Sequence, residues 1–140
     1  MSTDLLARPL VPVANPDDAE ATYEQIRPYL LDSGAVPLVV HVAEKGGGSP
    51  DPTGVEQSRE LAAEAFEVFE RLAQTDGIEV ETKLLFGTDI AETVSEAAKE
   101  HDASVIVFRS RGGSTWLQLL SGNVRANIID SSECPVVVLP

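Results

Sequence analysis

The sequence has a single cysteine, a single tryptophan and no long apolar run. Cys134 has no second thiol to pair with, which excludes an internal disulfide framework and is typical of a reducing cytoplasm. A membrane-spanning helix would need about 18 consecutive apolar residues. Residues 1–8 have neither the basic flank nor the apolar stretch of a signal peptide. These absences predict a cytoplasmic globular protein without direct membrane insertion.

Positive charge is also scarce. Ten Lys and Arg residues stand against 23 Asp and Glu residues, so the formal net charge is −13. A surface this negative repels phosphate backbones, which argues against a nucleic-acid partner. Only three of the basic residues are lysines. An acidic, lysine-poor surface is typical of proteins from a salt-loaded, halophile-like cytoplasm, where ions screen the self-repulsion, and an ordinary acidic domain is the alternative.

Acidic residues are absent from one part of the chain, residues 103–129, which contain Arg109, Arg111 and Arg125. An even distribution would place roughly four acidic residues there. The segment is therefore locally positive. It indicates either an anion site or a buried or interface-forming segment, from which acidic residues would be excluded in any case.

The chain has 140 residues, the length of one domain, and shows no internal repeat. Five short apolar segments predict strands, at residues 9–14, 36–43, 78–86, 104–108 and 135–139. The second, fourth and fifth are nearly continuous in Val, Ile and Leu, as in strands covered on both faces. The third alternates at first, which is typical of an edge strand with one wetter face.

Helical spacing separates these strands. Apolar stripes predict helices along residues 61–72 and from Ile90, the latter capped by Thr88 or Asp89. A first helix around residues 23–30 is expected to kink or end early at Pro28, and a short fourth helix contains Val124 and Ile128 and begins at Asn123. The alternation predicts one α/β domain over residues 1–140, a doubly wound five-stranded parallel sheet with helices on both faces.

Sheets of this kind bind ligands beyond the carboxyl ends of their strands, at the point where the strand order reverses. If strand 1 lies beside strand 4, the crevice between them is lined by the ends of those two strands. The residues concerned are Val13, Ala14 and Asn15 after strand 1, and Phe108, Arg109 and Ser110 after strand 4.

The stretch FRSRGGSTWLQLLSGNVRANII resembles the universal stress protein A family, whose members end strand 4 with Gly-x2-Gly, nine residues and Gly-Ser or Gly-Thr. The segments LVPVANPDDAE, VPLVVHVAE, GTDIAETV, ASVIVF and CPVVVL match the family's other elements in order. The resemblance covers nearly the whole chain. It implies an adenine nucleotide alpha hydrolase-like fold with strand order 3-2-1-4-5.

The resemblance also implies a nucleotide pocket, in which glycines let phosphate approach bare backbone N–H groups at a helix N-terminus. The family spacing holds from Gly112 through nine residues to Gly122. The family's first glycine, however, is Arg109 here, and its hydroxyl residue is Asn123.

Further departures surround the same pocket. The acidic residue that often follows strand 1 in the family is Ala14 here, and the one before strand 4 is Ser104. Val42 of strand 2 also belongs to the candidate pocket.

Arg109 decides between the functions that the resemblance implies. Its bulk fills nucleotide space, so we expect a non-enzymatic stress-response or regulatory module with an impaired pocket and no required cofactor. The alternative is an ATP- or AMP-binding protein with Gly112, Gly122 and Asn123 at the phosphates. Since guanidinium groups bind phosphate through a planar fork, Arg109 and Arg111 swung outward would make a third kind of site, for a phosphate-like anion.

Family members commonly pair through their last strands, and the resemblance therefore implies a homodimer. A transporter or signalling protein is the other partner class that it implies. The dimer edge would consist of Pro135, Val136, Val137, Val138 and Leu139.

Other polar residues have structural interpretations. His41 is expected to be a packed histidine that closes strand 2, and His101 a solvated residue at a helix C-terminus. No third ligand accompanies either of them, so no metal site is predicted. Cys134 is expected to be a small buried hydrophobe. Asp17 and Asp18 begin helix 1, where negative charge is favourable without any further role.

Two other functional classes lack their signatures. A phosphoacceptor receiver domain would need an Asp at the end of strand 3 and a Lys after strand 5, whereas strand 3 ends in Phe86 and Gly87. A hydrolase of the nucleophile-elbow type would need Gly-x-Ser-x-Gly, which is absent. Trp116, Leu117, Leu119 and Leu120 are expected to cover the sheet or a partner subunit.

Overall fold

Strands and helices alternate along the chain in the computed structural model, which describes residues 4–44, 52–109, 127–130 and 132–140. The elements are β1 (Pro9–Pro12), α1 (Pro16–Ser33), β2 (Leu38–Glu44), α2 (Pro52–Thr75), β3 (Glu81–Gly87), α3 (Ile90–Glu100), β4 (Val105–Arg109) and β5 (Val136–Leu139). Residues 127–130 are also helical. None of the described helices is both long and apolar enough to span a membrane.

The five strands form one sheet in the order β3-β2-β1-β4-β5, and every pairing between neighbours is parallel. This confirms the predicted doubly wound sheet and its order. Leu10 of β1 pairs with Leu38 of β2 on one side and with Ile106 of β4 on the other. The strand order therefore reverses at β1, and the crevice expected at that point lies at the carboxyl ends of β1 and β4.

Successive side chains of the strands point to opposite faces of the sheet and pack in two separate core layers. One layer packs against α1 and α2 and includes Val11, Val107 and an edge-to-face pair of Tyr23 with Phe69, whose ring centroids are 5.2 Å apart. The other layer packs against α3 and the fully buried Ile128. Both faces of the sheet are thus covered, as parallel sheets require.

The two edge strands differ from the central ones. β3 has an exposed outer surface, which confirms the predicted edge strand with a wetter face. Strand 5 is less covered than expected. Val136 packs against one core layer and Val137 against the other, but both are only half-buried and Val138 is exposed. β5 pairs with β4 alone and forms the second edge of the sheet.

Helix α1 does not end early at Pro28, so that one of the two predicted outcomes, a kink or an early end, is wrong. The helix begins with Asn15 as N-cap and continues to Gly34, whose φ of 69° is the left-handed conformation that glycine adopts readily. Pro28 is exposed and removes only one helical N–H donor. Ile26 and Leu30 on either side of it are buried in the core, and this packing holds the helix together.

Other boundaries shift by a few residues. β1 ends at Pro12 and β3 begins at Glu81, so both strands are shorter than predicted. His41 lies inside β2 rather than at its end. Asp89 caps α3, as one of the two predicted caps, through a hydrogen bond of 3.0 Å from Glu92 N to its Oδ1. Asn123 and Val124 of the predicted fourth helix lie outside the described residues.

Candidate functional site

The turn from β1 into α1 is fixed by two hydrogen bonds of Asp18. Asp18 N donates to Asn15 Oδ1 at 2.8 Å, and Ala14 N donates to Asp18 Oδ2 at 2.8 Å. Pro16 lies in the first turn, and the arrangement is a variant of the capping box: the N-cap Asn15 accepts from the third helical residue, Asp18, whose carboxylate accepts from the residue before the N-cap. The turn therefore places the Asp18 carboxylate at the carboxyl end of β1.

Arg109 meets that carboxylate from the neighbouring strand. It is the last residue of β4, and strand alternation places it on the same face as Val105 and Val107, which is the face covered by α1. Its Nε lies 3.5 Å from Asp18 Oδ1, and the side chains of Arg109 and Asp18 are only 14% and 7% exposed. The Asp18–Arg109 pair thus bridges the ends of β1 and β4 at the predicted crevice.

Two expectations are corrected by this contact. Arg109 is not swung outward, because a buried carboxylate in the first turn of α1 supplies its counter-charge. Asp18 is not merely a favourable charge at a helix N-terminus, because it accepts a hydrogen bond from the end of β1 and faces the guanidinium. The spacing Asn-Pro-Asp-Asp, with a capping residue three positions before an acid, is the signal in the sequence that could have identified this turn.

Burial dominates the electrostatics of Asp18. Desolvation raises the pKa of its carboxyl group above the usual value, although the hydrogen bond from Ala14 and the charge of Arg109 act in the opposite direction. The ionised carboxylate is therefore less stable here than in water, even with its partner. This is the behaviour of a buried ion pair whose desolvation cost exceeds its Coulombic gain.

His41 of β2 also lies at the carboxyl end of β1. Its Nδ1 lies 2.9 Å from Val13 O, and because a carbonyl only accepts hydrogen bonds, Nδ1 carries the proton. Burial lowers the pKa of His41, so the ring is neutral at physiological pH. Val13 N donates to Val40 O at 2.9 Å. Three backbone groups at the end of β1, namely Val13 N, Val13 O and Ala14 N, are therefore bonded within the protein.

The predicted pocket residues have different positions. Ala14, Val42 and Phe108 are buried in the core layer against α3, so their side chains face the core rather than a ligand. Val13 is buried in the opposite layer, and Asn15 is half-buried as the N-cap of α1. The remaining predicted residues, Ser110, Arg111, Gly112, Gly122 and Asn123, lie outside the described residues, as do Trp116, Leu117, Leu119 and Leu120.

Other titratable residues lie away from the crevice. His101 is the C-cap of α3, and its Nε2 accepts a hydrogen bond of 3.2 Å from Lys83 Nζ. Cys134 is only partly buried and its Sγ lies 3.4 Å from Ser132 Oγ. The expectation of a buried cysteine is therefore wrong in the degree of burial, because Cys134 precedes an edge strand.

A second Arg–Asp pair connects α1 with the turn after α2. Arg27 Nε lies 2.7 Å from Asp76 Oδ2 and Arg27 Nη2 lies 3.2 Å from Asp76 Oδ1, so the contact is bidentate. The hydroxyl of Tyr23 donates to the same carboxylate. Burial, together with this hydrogen bond, raises the pKa of Tyr23 to about 12. Nothing in the sequence pattern pointed to this cluster, because its members lie 49 and 53 positions apart.

Comparison with known proteins identifies the family. A universal stress protein of Methanocaldococcus jannaschii is 30% identical over 81 residues, which are 58% of this chain and 47% of that protein. The match thus spans about half the length of that relative. The fold is similar to that of universal stress protein UspA from Lactobacillus plantarum, with a TM-score of 0.73, 19% identity and coverage of 96% of this chain and 98% of that one.

A universal stress protein from Archaeoglobus fulgidus, solved in complex with dAMP, is similar in fold with a TM-score of 0.70 and 21% identity. The match covers 98% of this chain and 100% of that chain. A family model described as the universal stress protein family matches residues 8–140. Since that match takes in both strands of the crevice and nearly all of the chain, the protein belongs to the universal stress protein family.

Proposed function

We propose that this protein is a non-enzymatic stress-response or regulatory module that acts as a homodimer, with its crevice closed to adenine nucleotides. The Asp18–Arg109 pair is the observation that supports the closed crevice. A guanidinium side chain stands where the family loop has a glycine, and it is held inward by a carboxylate. The space and the charge that a triphosphate needs are thus both taken.

Charge strengthens the steric argument. A nucleotide phosphate that approached the crevice would meet the Asp18 carboxylate, and two like charges at about 4 Å repel by about 4 kcal/mol at an effective dielectric constant of about 20. The backbone donor of Ala14 is already bonded to that carboxylate. His41 is also unsuited to act as a general base, because it is buried and its Nδ1 is bonded to Val13 O.

The second candidate function is adenine nucleotide binding. The Archaeoglobus fulgidus relative of similar fold was solved with dAMP, and Gly112, Gly122 and Asn123 keep the spacing of the family loop. On this alternative, Arg109 leaves Asp18 and contacts phosphate when the nucleotide binds.

Thermal stabilisation by ATP separates the two functions. A ligand present at 100 times its Kd stabilises a protein by about 2.7 kcal/mol. We expect no stabilisation of the wild type at millimolar ATP. Arg109→Gly alone should restore little binding, because it leaves the Asp18 carboxylate facing the phosphates. Arg109→Gly combined with Asp18→Asn should bind ATP, since both the bulk and the charge are removed.

The matched control is Arg27→Gly combined with Asp76→Asn, which removes the other Arg–Asp pair. It should leave ATP binding unchanged. Stabilisation of the wild type by ATP would refute the closed crevice and favour the second function.

The edge of β5 supports the homodimer. Its outer side has no neighbouring strand in the described sheet, and Val138 is 42% exposed. An apolar groove lies beside it, between β5, α1 and the N-terminal segment. Unpaired edges with apolar neighbours favour pairing with a second chain. The groove is lined by Leu5, Leu6, Ile26, Tyr29, Val107, Val137, Val138, Leu139 and Pro140.

The oligomeric state tests this part of the proposal. We expect a dimer in light scattering, and Val138→Lys should convert it to a monomer, because a charge would be buried in the paired edge. Leu61→Lys is the control, since Leu61 is an aliphatic side chain of similar exposure, 38%, on α2. A monomeric wild type, or a Val138→Lys protein that remains dimeric, would show that β5 is not the interface.

A further inference from the structure

The two Arg–Asp pairs of the described chain differ in quality. In the exposed pair, Arg27 Nε lies 2.7 Å from Asp76 Oδ2, with a second contact at 3.2 Å. In the buried pair, Arg109 Nε lies 3.5 Å from Asp18 Oδ1, which is beyond the usual distance of a charged hydrogen bond, about 2.7 to 2.9 Å. Arg109 Nε is itself buried, and none of the described residues accepts a hydrogen bond from it.

A buried guanidinium donor without an acceptor is costly, and such orphaned groups are rare in native proteins. The loose contact has a cause in the turn geometry. Asp18 already uses Oδ2 for the hydrogen bond from Ala14 N, and its backbone N–H is held by Asn15. Oδ2 of the carboxylate is therefore committed to the turn, and Oδ1 is the oxygen that faces Arg109. Among the described residues, Arg109 Nε has charge compensation from Asp18 but lacks a well-placed acceptor.

We propose that a compact tetrahedral oxyanion, of the size of inorganic phosphate or sulfate, binds the Arg109 guanidinium in place of the Asp18 carboxylate, which takes up a proton from solvent. The anion supplies the acceptor that Nε lacks. Protonated Asp18 keeps its acceptor role towards Ala14 N, so the turn survives the exchange. This inference rests on the proposed closed crevice and adds to it a ligand class small enough to enter.

Proton uptake follows from the groups that surround Asp18. Arg109 faces it from β4, and its charge lowers the pKa of the carboxyl group, as does the hydrogen bond from Ala14 N, which has the larger effect. His41 is the other titratable group that interacts with it, from β2, and burial lowers the pKa of that ring. An anion on Arg109 withdraws the compensating charge from Asp18. Because burial already raises the pKa of this carboxyl group, protonation then becomes favourable.

Sulfate is the probe for the test, because it stays a dianion over the pH range of the experiment. Calorimetric titration of sulfate into the wild type should give an affinity that rises as the pH falls, by up to about tenfold per unit. Asp18→Asn removes the competing carboxylate and should bind sulfate about tenfold more tightly at neutral pH, with little pH dependence. Arg109→Gln should not bind.

Asp76→Asn is the control variant, because it frees the guanidinium of Arg27 in the other pair. It should leave the sulfate affinity unchanged. Proton uptake by the wild type, measured in two buffers of different ionisation enthalpy, tests the same exchange without any substitution.

Equal sulfate affinity in the wild type and in Asp18→Asn would overturn the inference, and so would binding that persists in Arg109→Gln. Sulfate binding without proton uptake by the wild type would overturn the exchange as well. None of these results bears on the closed crevice, which is judged by ATP. Conversely, ATP binding by the wild type would refute the proposed function whatever the sulfate titrations show.

Discussion

The energetic coupling between Asp18 and Arg109 is the most direct test of the arrangement at the crevice. The side chains are 7% and 14% exposed, so removal of either partner leaves the other charge in a largely desolvated site. Breaking a buried ion pair by removal of one partner costs about 3 to 5 kcal/mol. We expect about 3 kcal/mol for Arg109→Met. The loss should be somewhat smaller for Asp18→Asn, because the amide oxygen still accepts from Ala14 N.

The double variant should be much less destabilised than the two single losses together. Replacement of a buried ion pair by neutral groups of similar volume is often neutral or stabilising. We therefore expect Asp18→Asn with Arg109→Met to lie within about 1 kcal/mol of the wild type, which is a coupling energy of several kcal/mol. In a chain of this length, about 3 kcal/mol lowers Tm by about 10 °C.

Chemical denaturation of the four proteins gives the cycle. The Arg27 and Asp76 pair provides a matched cycle, and its coupling should be smaller and weakened by salt, because Arg27 is 48% exposed. The proposed coupling of Asp18 and Arg109 would be refuted if the stability losses of the two single substitutions added to that of the double variant within about 0.5 kcal/mol. Additivity would mean that the guanidinium and the carboxylate do not depend on each other.

Three further predictions concern stability. Gly87→Ala should destabilise the protein by about 1 to 3 kcal/mol, because a Cβ there would clash with Thr93 Oγ1. A second change, Thr93→Ala, should recover part of the loss in thermal melts. The pKa of Tyr23 is raised from 10.0 to about 12, so this residue contributes stability below pH 10 that is lost as the pH rises towards 12. In denaturation experiments at different pH values, Tyr23→Phe should lack this loss of stability at alkaline pH. Since the pKa of Asp18 is raised in the folded state, its contribution to the free energy of unfolding is full below pH 3.8 and is lost as the pH rises through the folded-state pKa. The wild type should therefore gain stability relative to Asp18→Asn on acidification. A stability difference between the two proteins that does not change with pH would contradict the raised pKa.

The sheet was predictable because its signals are local. Apolar runs of four to eight residues separated by helical stripes identify strands and helices without any knowledge of tertiary contacts. Asp89 before the apolar stripe of α3 is a local signal of the same kind, and it caps the helix as expected. The strand order β3-β2-β1-β4-β5, by contrast, was predicted from the family resemblance, and the structure confirms it.

Two errors in the fold arose where tertiary contacts override local patterns. Pro28 disfavours helix continuation locally, but the burial of Ile26 and Leu30 keeps α1 intact beyond it. The apolar run of β5 is the same pattern that a strand covered on both faces would have. In the proposed homodimer, an edge strand that pairs with a second subunit would need the same residues, since its apolar side chains would be covered only in the assembly.

The candidate site was predictable in place but not in its contacts. Arg109 was identified from its position in the family loop, yet its partner lies on α1, in another part of the chain. That contact depends on how α1 crosses the end of β4, which no sequence window contains. Asp18 was therefore interpreted through the helix dipole alone, although the capping-box spacing already indicated a fixed carboxylate.

The buried pair shows why the change from glycine to arginine at the crevice involves more than bulk. Without Asp18, Arg109 in this position would be a desolvated charge. Its side chain would have the lowest free energy when turned towards water, which would leave the crevice open. Asp18 opposes that response, because its carboxylate is held by Ala14 N and its backbone N–H by Asn15. Under the proposed function, closure therefore needs both residues, and contacts with a partner fall to surfaces outside the pair. The exposed edge of β5 is one such surface.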